Sequence, residues 1–436
     1  MKGKKLLILA AFASLTLAGC GGNANNAQLP AGGKNIDLKT DEGVATLKAR
    51  VNGLADNYTK FEFKALGLQS ETKNVSFGVN GKLNTNFGNF EGKVGLNNVG
   101  ASLNLAIGSE AGEAEGQTTL AGALTLGGVT GNFTIDGTYQ QPSSEDKIPV
   151  NRSLDFTGAK AAAYIHKGNI YLDGSDQGVL DLLDRTAGFA NNVIGDLDLS
   201  PLALAALAKG LGFDFSKILS KDFKSFDFKT PYVELLNSGK VYISQPILSY
   251  INFDAVSAIL SSFFDSLQQK DEETQQSQLD QFVTGLLTIN DLFPGLTVKE
   301  YGEKGIGLQI DVNKESLKTL AVKVAPEDYT QEQIDEIKAR VDKYFTSCDF
   351  TASVYVNDKA LLESVAVYCN VEANVQLGKD ELQDSPISLV DLKVNAHAEE
   401  KLTVLYNDDV KLEIPSEEYL ATFKEYVPAN GEAEEK

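Results

Sequence analysis

Side chains able to react are scarce in this chain, and their spacing limits the chemistry open to it. There are three cysteines, Cys20, Cys348 and Cys369, and two histidines, His166 and His397. The histidines lie far apart in sequence, and His166 stands beside a Lys167-Gly168 turn, the ordinary setting of a solvated ring. No Gly-x-Ser-x-Gly elbow, His-Glu-x-x-His pair or phosphate-cradling glycine loop is present. Paired carboxylates for glycoside hydrolysis could be drawn from 60 acidic residues, but the absence of tryptophan sits badly with a sugar cleft. The chain therefore reads as a non-enzyme that needs no cofactor.

Two constellations carry some chemistry. In the stretch 173–184, Asp173, Ser175, Gln177, Gly178, Asp181 and Asp184 fall at positions one, three, five, six, nine and twelve of a calcium loop, a partial match. Against it, a strand pattern precedes the loop, position five is neutral, and position twelve lacks the glutamate that chelates with both oxygens. The favoured reading is a strand-to-helix turn in which Ser175 or Asp176 caps a helix running through Leu183. The second constellation is Cys348 with Cys369. A two-residue turn at Asp358-Lys359 sets them opposite one another in a hairpin, with Phe350 against Val367, Ala352 against Val365 and Val356 against Leu361. Thiols outside the cytoplasm oxidise, so a disulfide is expected; two buried thiols are the alternative.

The placement outside the cytoplasm comes from the first twenty residues. Lys2, Lys4 and Lys5 precede an apolar run over 6–17, too short for a permanent membrane span, and Leu17-Ala18-Gly19-Cys20 follows. This leader resembles the lipobox of bacterial lipoproteins. The resemblance implies a diacylglyceryl group on the Cys20 thiol, cleavage just before it, and a chain held on the outer face of a bacterial membrane in the cell envelope. The alternative is an ordinary secreted leader with a chance cysteine; the Gly21-Gly22 pair that follows favours a tether. Loss of the three leader lysines takes the formal charge from −21 to −24. That balance opposes binding to phosphate backbones or to anionic lipid through protein charge, so nucleic acid is not an expected partner.

The periodicity supplies the elements. Residues 21–34 are rich in Gly, Asn and Ala and read as a flexible tether. Val44, Leu47, Val51 and Leu54 recur at helical spacing behind Thr40 or Asp41 as cap, with Gly43 and Gly53 weakening the helix. From 58 to 139 the period is two, as in Val75, Phe77 and Val79, or Leu103, Leu105 and Ile107, or Phe133 and Ile135, with Gly and Asn breaks every eight to twelve residues. This predicts an antiparallel meander of about six strands, with a loop at 109–117 and a further hairpin at 164–172. From 196 to 292 the chain reads as mostly helical, with apolar faces at 202–211, at 253–267, and at Leu279, Phe282, Leu286 and Leu287. Strands return at 297–301, 306–312 and 348–412, broken by a helix behind a Thr330/Gln333 capping box, and the tail 430–436 reads as disordered.

The order of an amphipathic helix, a long antiparallel meander and inserted apolar helices resembles the half-barrel of the lipid-carrier lipoproteins of bacterial envelopes, the LolA and LprG type. The resemblance covers most of 40–415, rests on no diagnostic motif, and departs in length. It implies a concave sheet face, lidded by helices, that receives acyl chains. The expected fold is α+β, a large antiparallel meander or half-barrel with amphipathic helices packed on one face. Its expected divisions are a signal peptide (1–19), a tether (20–39), a sheet unit with its helix (40–195), a helical segment (196–295), a β-rich unit (296–415) and an acidic tail (416–436). The expected function is a membrane-anchored lipoprotein holding a lipid or other apolar ligand between sheet and helices, lined by Phe77, Leu103, Leu105, Phe133, Ile135, Ile259 and Phe263. The alternative is a structural or protein-interaction lipoprotein with a solid core. No protein partner is specified by either.

Overall fold

The computed structural model describes residues 27–425 apart from 87, 112–117, 143, 199, 203, 206–214, 217, 228–239, 245–261, 263–265, 267–276, 293–294, 327 and 380–386. The expectations for the leader, Cys20, the apolar faces at 202–211 and 253–267, Ile259, Phe263 and the acidic tail fall wholly or largely outside these residues. Two-residue β1 (Lys34–Asn35) and helix α1 (Asp41–Tyr58) lead into the long strands β2 (Leu66–Thr85), β3 (Gly88–Ala111), β4 (Thr118–Gln140) and β5 (Lys147–His166). After β6 (Asn169–Asp173) come α2 (Gln177–Asp196), β7 (Lys240–Ser244) and α3 (Gln278–Leu292). The chain continues through β8 (Leu296–Tyr301), β9 (Gly305–Asn313), α4 (Lys314–Lys323), α5 (Gln331–Tyr344), β10 (Phe345–Val356), β11 (Leu362–Leu377) and β12 (Ile387–Tyr406). A short α6 (Glu417–Leu420) and β13 (Lys424–Glu425) follow.

All thirteen strands form one sheet in the order β1-β8-β9-β10-β11-β12-β2-β3-β4-β5-β6-β7-β13. The eleven longer ones are antiparallel throughout, and only β13 runs parallel to its neighbour β7. The fold is thus α+β, a half-barrel built on one antiparallel sheet. β2 to β5 and β12 are 20 to 24 residues long, where five or six is usual. The sequence predicts about twice as many strands between 58 and 139, because Gly and Asn positions read as turns. Some, such as Asn74, Asn98, Gly127 and Gly128, lie in bulges instead, and many others sit mid-strand in regular pairing. The register slips between Thr72 and Phe77 on β2, Asn97 and Ser102 on β3, Leu126 and Thr130 on β4, and His397 and Glu399 on β12. These slips stand side by side across neighbouring strands. Asn74 and Asn98 take the left-handed backbone (φ 55° and 50°), which asparagine tolerates, and each bulge bends its strand and adds twist. A line of bends across four adjacent strands curls the sheet.

A second line runs through Gly81, Gly92 and Gly137, which oppose one another on β2, β3 and β4. A Cβ on Gly92 would lie 2.4 Å from the Cα of Gly137, so here the backbones close to a distance that only glycine permits. Over much of the long strands apolar side chains face one way and polar ones the other, although Thr119 to Ala123 of β4 are buried on both faces. The polar face carries pairs such as Lys82 with Glu91 at 2.9 Å.

The helices cover the apolar face at its margins. Thr40 caps α1 by accepting from the Gly43 amide at 3.1 Å. Gly43 is not the weakness its type suggests, because a side chain there would collide with the Asp37 carbonyl. Leu47, Val51 and Ala55 of α1 join Leu279, Val283 and Leu286 of α3 over Val298, Ile306 and Val356 of β8, β9 and β10. On α3 the buried position is Val283, and Phe282 points outward with 48% of its surface exposed, a one-residue error in the predicted stripe. The predicted Thr330/Gln333 capping box is present on α5, and a second, Asn313 with Ser316, starts α4, which the sequence reading passed over. The segment 196–292 also contains β7, whose five residues pair with β6, so it is not uniformly helical.

The Cys348 and Cys369 expectation is corrected. The connection between β10 and β11 runs through Asn357 to Leu361, with Ala360 in the left-handed region (φ 57°), instead of a two-residue turn. The register therefore moves by two: Cys369 faces Phe350, Cys348 faces Val371, and Ala352 faces Val367. The cysteines become diagonal neighbours, about 7–8 Å apart between Cα atoms, beyond ordinary disulfide reach. Both carry buried thiols.

Candidate functional site: an apolar trough on the sheet

The pairing registers bring five of the predicted lining residues onto one surface. Ala396, Phe77, Leu96, Phe133 and Leu154 form one transverse row across β12, β2, β3, β4 and β5. The next row is Val394, Val79, Val94, Ile135 and Arg152. On the far side of the bulges lie Leu402, Ser70, Leu103, Leu126 and Ala161, and then Val404, Leu68, Leu105, Leu124 and Ala163. Leu103 and Leu124 are each 39% exposed, and Phe77, Leu96, Leu105, Phe133 and Ile135 are only half-buried. An apolar surface this broad on the inner side of a sheet is ordinarily packed away.

Its borders are built. One side is the α1–α3 layer over β8–β10. On the opposite side α2 lies along β5. Phe189 meets the Phe133 ring edge-on at 5.5 Å, and Arg152 donates two hydrogen bonds to Asp196, at 2.7 and 2.6 Å. The guanidinium holds the Asp196 carboxyl below its ordinary range and neutralises an acid at a helix C-terminus, where the dipole disfavours it. Of the twenty residues in α2 only Ile194 is buried. One end of the trough is stopped by Tyr58, Phe63, Leu120 and Leu361, with Phe61, Ile107, Ile165 and Tyr406 packed around them. Between these borders the floor itself holds a small cluster, Cys369 and Ala398 with Val75, Phe350 and Val371 of β10, β11, β12 and β2.

A carboxylate interrupts the middle of this face. Alternation along β12 through Val394, Ala396, Ala398, Glu400, Leu402 and Val404 puts Glu400 among the apolar residues, opposite Thr72 on β2 and Val367 on β11. Its Oε1 accepts from the Ser70 hydroxyl at 2.9 Å. The sequence reading missed Glu400, although the same period-two count that placed Phe77 locates it.

The other predicted groups serve local structure. Asp173 accepts at Oδ1 from the Ser175 amide at 3.0 Å and hydroxyl at 2.6 Å, and its other oxygen accepts from the Tyr419 hydroxyl. That bond and burial push the Tyr419 hydroxyl up to about 12. Asp176 caps α2 through Gly178, as the capping reading expects, and Gln177 donates to Asp181 one turn on. Asp181 and Asp184 both belong to α2, which extends to Asp196. Among the described residues no group of three or more His, Cys, Asp or Glu side chains is placed to hold a metal ion. His166 lies between Glu110 (2.6 Å) and Glu417 (3.1 Å), tying the end of β3 to α6, and His397 contacts Asn370 at 3.2 Å. No helix among the described residues is long and apolar enough to cross a membrane.

No protein-family model, curated protein or solved structure matches the chain.

Proposed function

We propose that this protein is an envelope lipoprotein, tethered through lipidated Cys20, that holds the acyl part of a lipid on the apolar trough of its sheet. The observation that carries the reading is the half-exposed apolar surface of β12, β2, β3 and β4, open at Leu103 and Leu124 and bordered by α1, α2 and α3. Leu103 and Leu124 are each 39% exposed, so covering either one contributes only part of the about 1.5–3 kcal/mol of a full leucine burial, and an acyl chain gains by lying across several rows at once. The acidic balance of the chain, −21 overall, disfavours anionic headgroups and leaves apolar contact to hold the acyl chain.

The test is mass spectrometry of lipid co-purifying with the chain, paired with Leu105→Trp, which places the only tryptophan on the trough floor. Lipid should co-purify with the wild type, and Leu105→Trp emission should shift and saturate as lipid is added. Leu103→Asp and Leu124→Asp should lose lipid while keeping the fold, since both side chains already reach solvent. A wild type carrying no lipid, with an unresponsive tryptophan at position 105, would favour a protein-interaction surface instead.

A further inference from the structure

We infer that the trough selects its ligand by headgroup, with Glu400 as receptor for a primary ammonium; the inference rests on the trough being a ligand seat. Glu400 is half-buried on the apolar face beside the row that carries the exposed Leu103, where Ser70 is the residue directly opposite Leu103. The other charged groups traced on this face are neutralised by the protein itself. Glu300 pairs with Arg50 at 3.0 Å and Lys34 at 3.2 Å, and Arg152 pairs with Asp196. Glu400 has a neutral hydroxyl from Ser70 and, among the described residues, no cation.

A carboxylate accepts about four hydrogen bonds, and one from Ser70 leaves most of that capacity unfilled on a surface poor in donors. Keeping an acid there disfavours the apolar seat unless something donates to it. A ligand that lies across Leu103 and ends in an ammonium supplies both what the leucine lacks and what the carboxylate lacks, with three donors on one cation. The same charge repels a sulfate or phosphate brought to the same place, so the site discriminates by repulsion as well as attraction. Thr72, opposite Glu400 on β2, adds a second hydroxyl within the same polar island.

The experiment uses the full chain carrying Leu105→Trp, titrated with three amphiphiles that share one palmitoyl chain and end in an ammonium, a maltoside or a sulfate. The ammonium form is expected to bind about ten to a hundred times more tightly than the sulfate, the range of a charge-assisted hydrogen bond. Adding Glu400→Gln keeps an acceptor for Ser70 and should bring the ammonium affinity down to that of the maltoside, with maltoside binding changed by less than about twofold. Equal affinity for all three heads without that change would overturn the headgroup inference and leave the trough standing. A preference that survives Glu400→Gln would overturn the assignment to Glu400. No tryptophan response to any of the three would overturn the trough reading and this inference with it.

Discussion

The aromatic stopper at the end of the trough offers the sharpest test of the packing. The Tyr58 hydroxyl accepts from the Leu362 amide at 3.0 Å, the Tyr406 hydroxyl donates to the Leu362 carbonyl at 3.0 Å, and the two hydroxyls meet at 2.5 Å. With those roles taken, Tyr58 must donate to Tyr406, and the three groups close a ring of hydrogen bonds. Tyr58→Phe keeps the stacked ring but leaves the Leu362 amide without its hydroxyl acceptor, at a cost of about 1–3 kcal/mol. Tyr406→Phe does the same to the carbonyl. Because either change breaks the ring, the double variant should lose less than the sum of the two, with a coupling of about 1 kcal/mol or more. Burial raises both tyrosines above their usual range, the opposing hydrogen bonds on Tyr58 notwithstanding. A phenol that is harder to ionise when folded adds stability that is complete below the unfolded pKa of about 10 and is lost as pH rises above it. Urea unfolding followed by near-ultraviolet circular dichroism, at neutral pH and again above pH 10, reads both effects. Additive single losses, or an alkaline decline as steep in the double variant as in the wild type, would refute the ring.

Other expectations follow from single positions. Leu47→Ala empties a fully buried site under α1 and should cost about 2–5 kcal/mol, whereas Phe282→Ala on the exposed side of α3 should stay within about 0.5 kcal/mol; thermal unfolding separates them. Gly53→Ala, with open space around the added methyl in mid-helix, should stabilise by about 0.4–1 kcal/mol, while Gly137→Ala, which would press on the Glu91 carbonyl, should destabilise by more than that. Cys348, its thiol pushed up to about 11 by burial and the neighbouring Asp349, should resist alkylation in the folded protein; Cys348 and Cys369 should both react, without reductant, once the protein is unfolded. Detection of a Cys348 to Cys369 bridge by peptide mapping would overturn the β10 to β11 register.

What the sequence discloses depends on whether a signal is local. The Lys167-Gly168 turn was legible because both residues take positive φ (46° and 77°), which a two-residue hairpin demands. The Thr40 cap, the Thr330 capping box and the shared face of Phe77, Leu103, Leu105, Phe133 and Ile135 were legible for similar reasons, each being fixed by neighbours or by alternation. Strand length was not, because a glycine or asparagine in a bulge is chemically the same as one in a turn, and only the partner strand distinguishes them. The β10 to β11 register escaped because Ala360, not a glycine or asparagine, adopts the left-handed backbone. On α3, Phe282 and Val283 are both apolar neighbours, so periodicity alone could not say which of them meets α1.

The order of the strands has a consequence for assembly. β2 and β12 lie side by side at the middle of the sheet, yet Leu66 pairs with Tyr406, so the junction joins residues from opposite ends of the chain. Contacts so distant in sequence make folding slow, since the loop must close before the pairing rewards it. During synthesis β2 to β6 can zip up early, but the outer edge of β2 remains an unpaired ladder twenty residues long until the final long strand emerges. That edge is the stretch most exposed to wrong pairing with another chain, and β12 is the strand that closes it. The same strand brings Glu400 and the last apolar column to the trough, so a chain truncated before β12 would be left with an open edge and an unfinished floor.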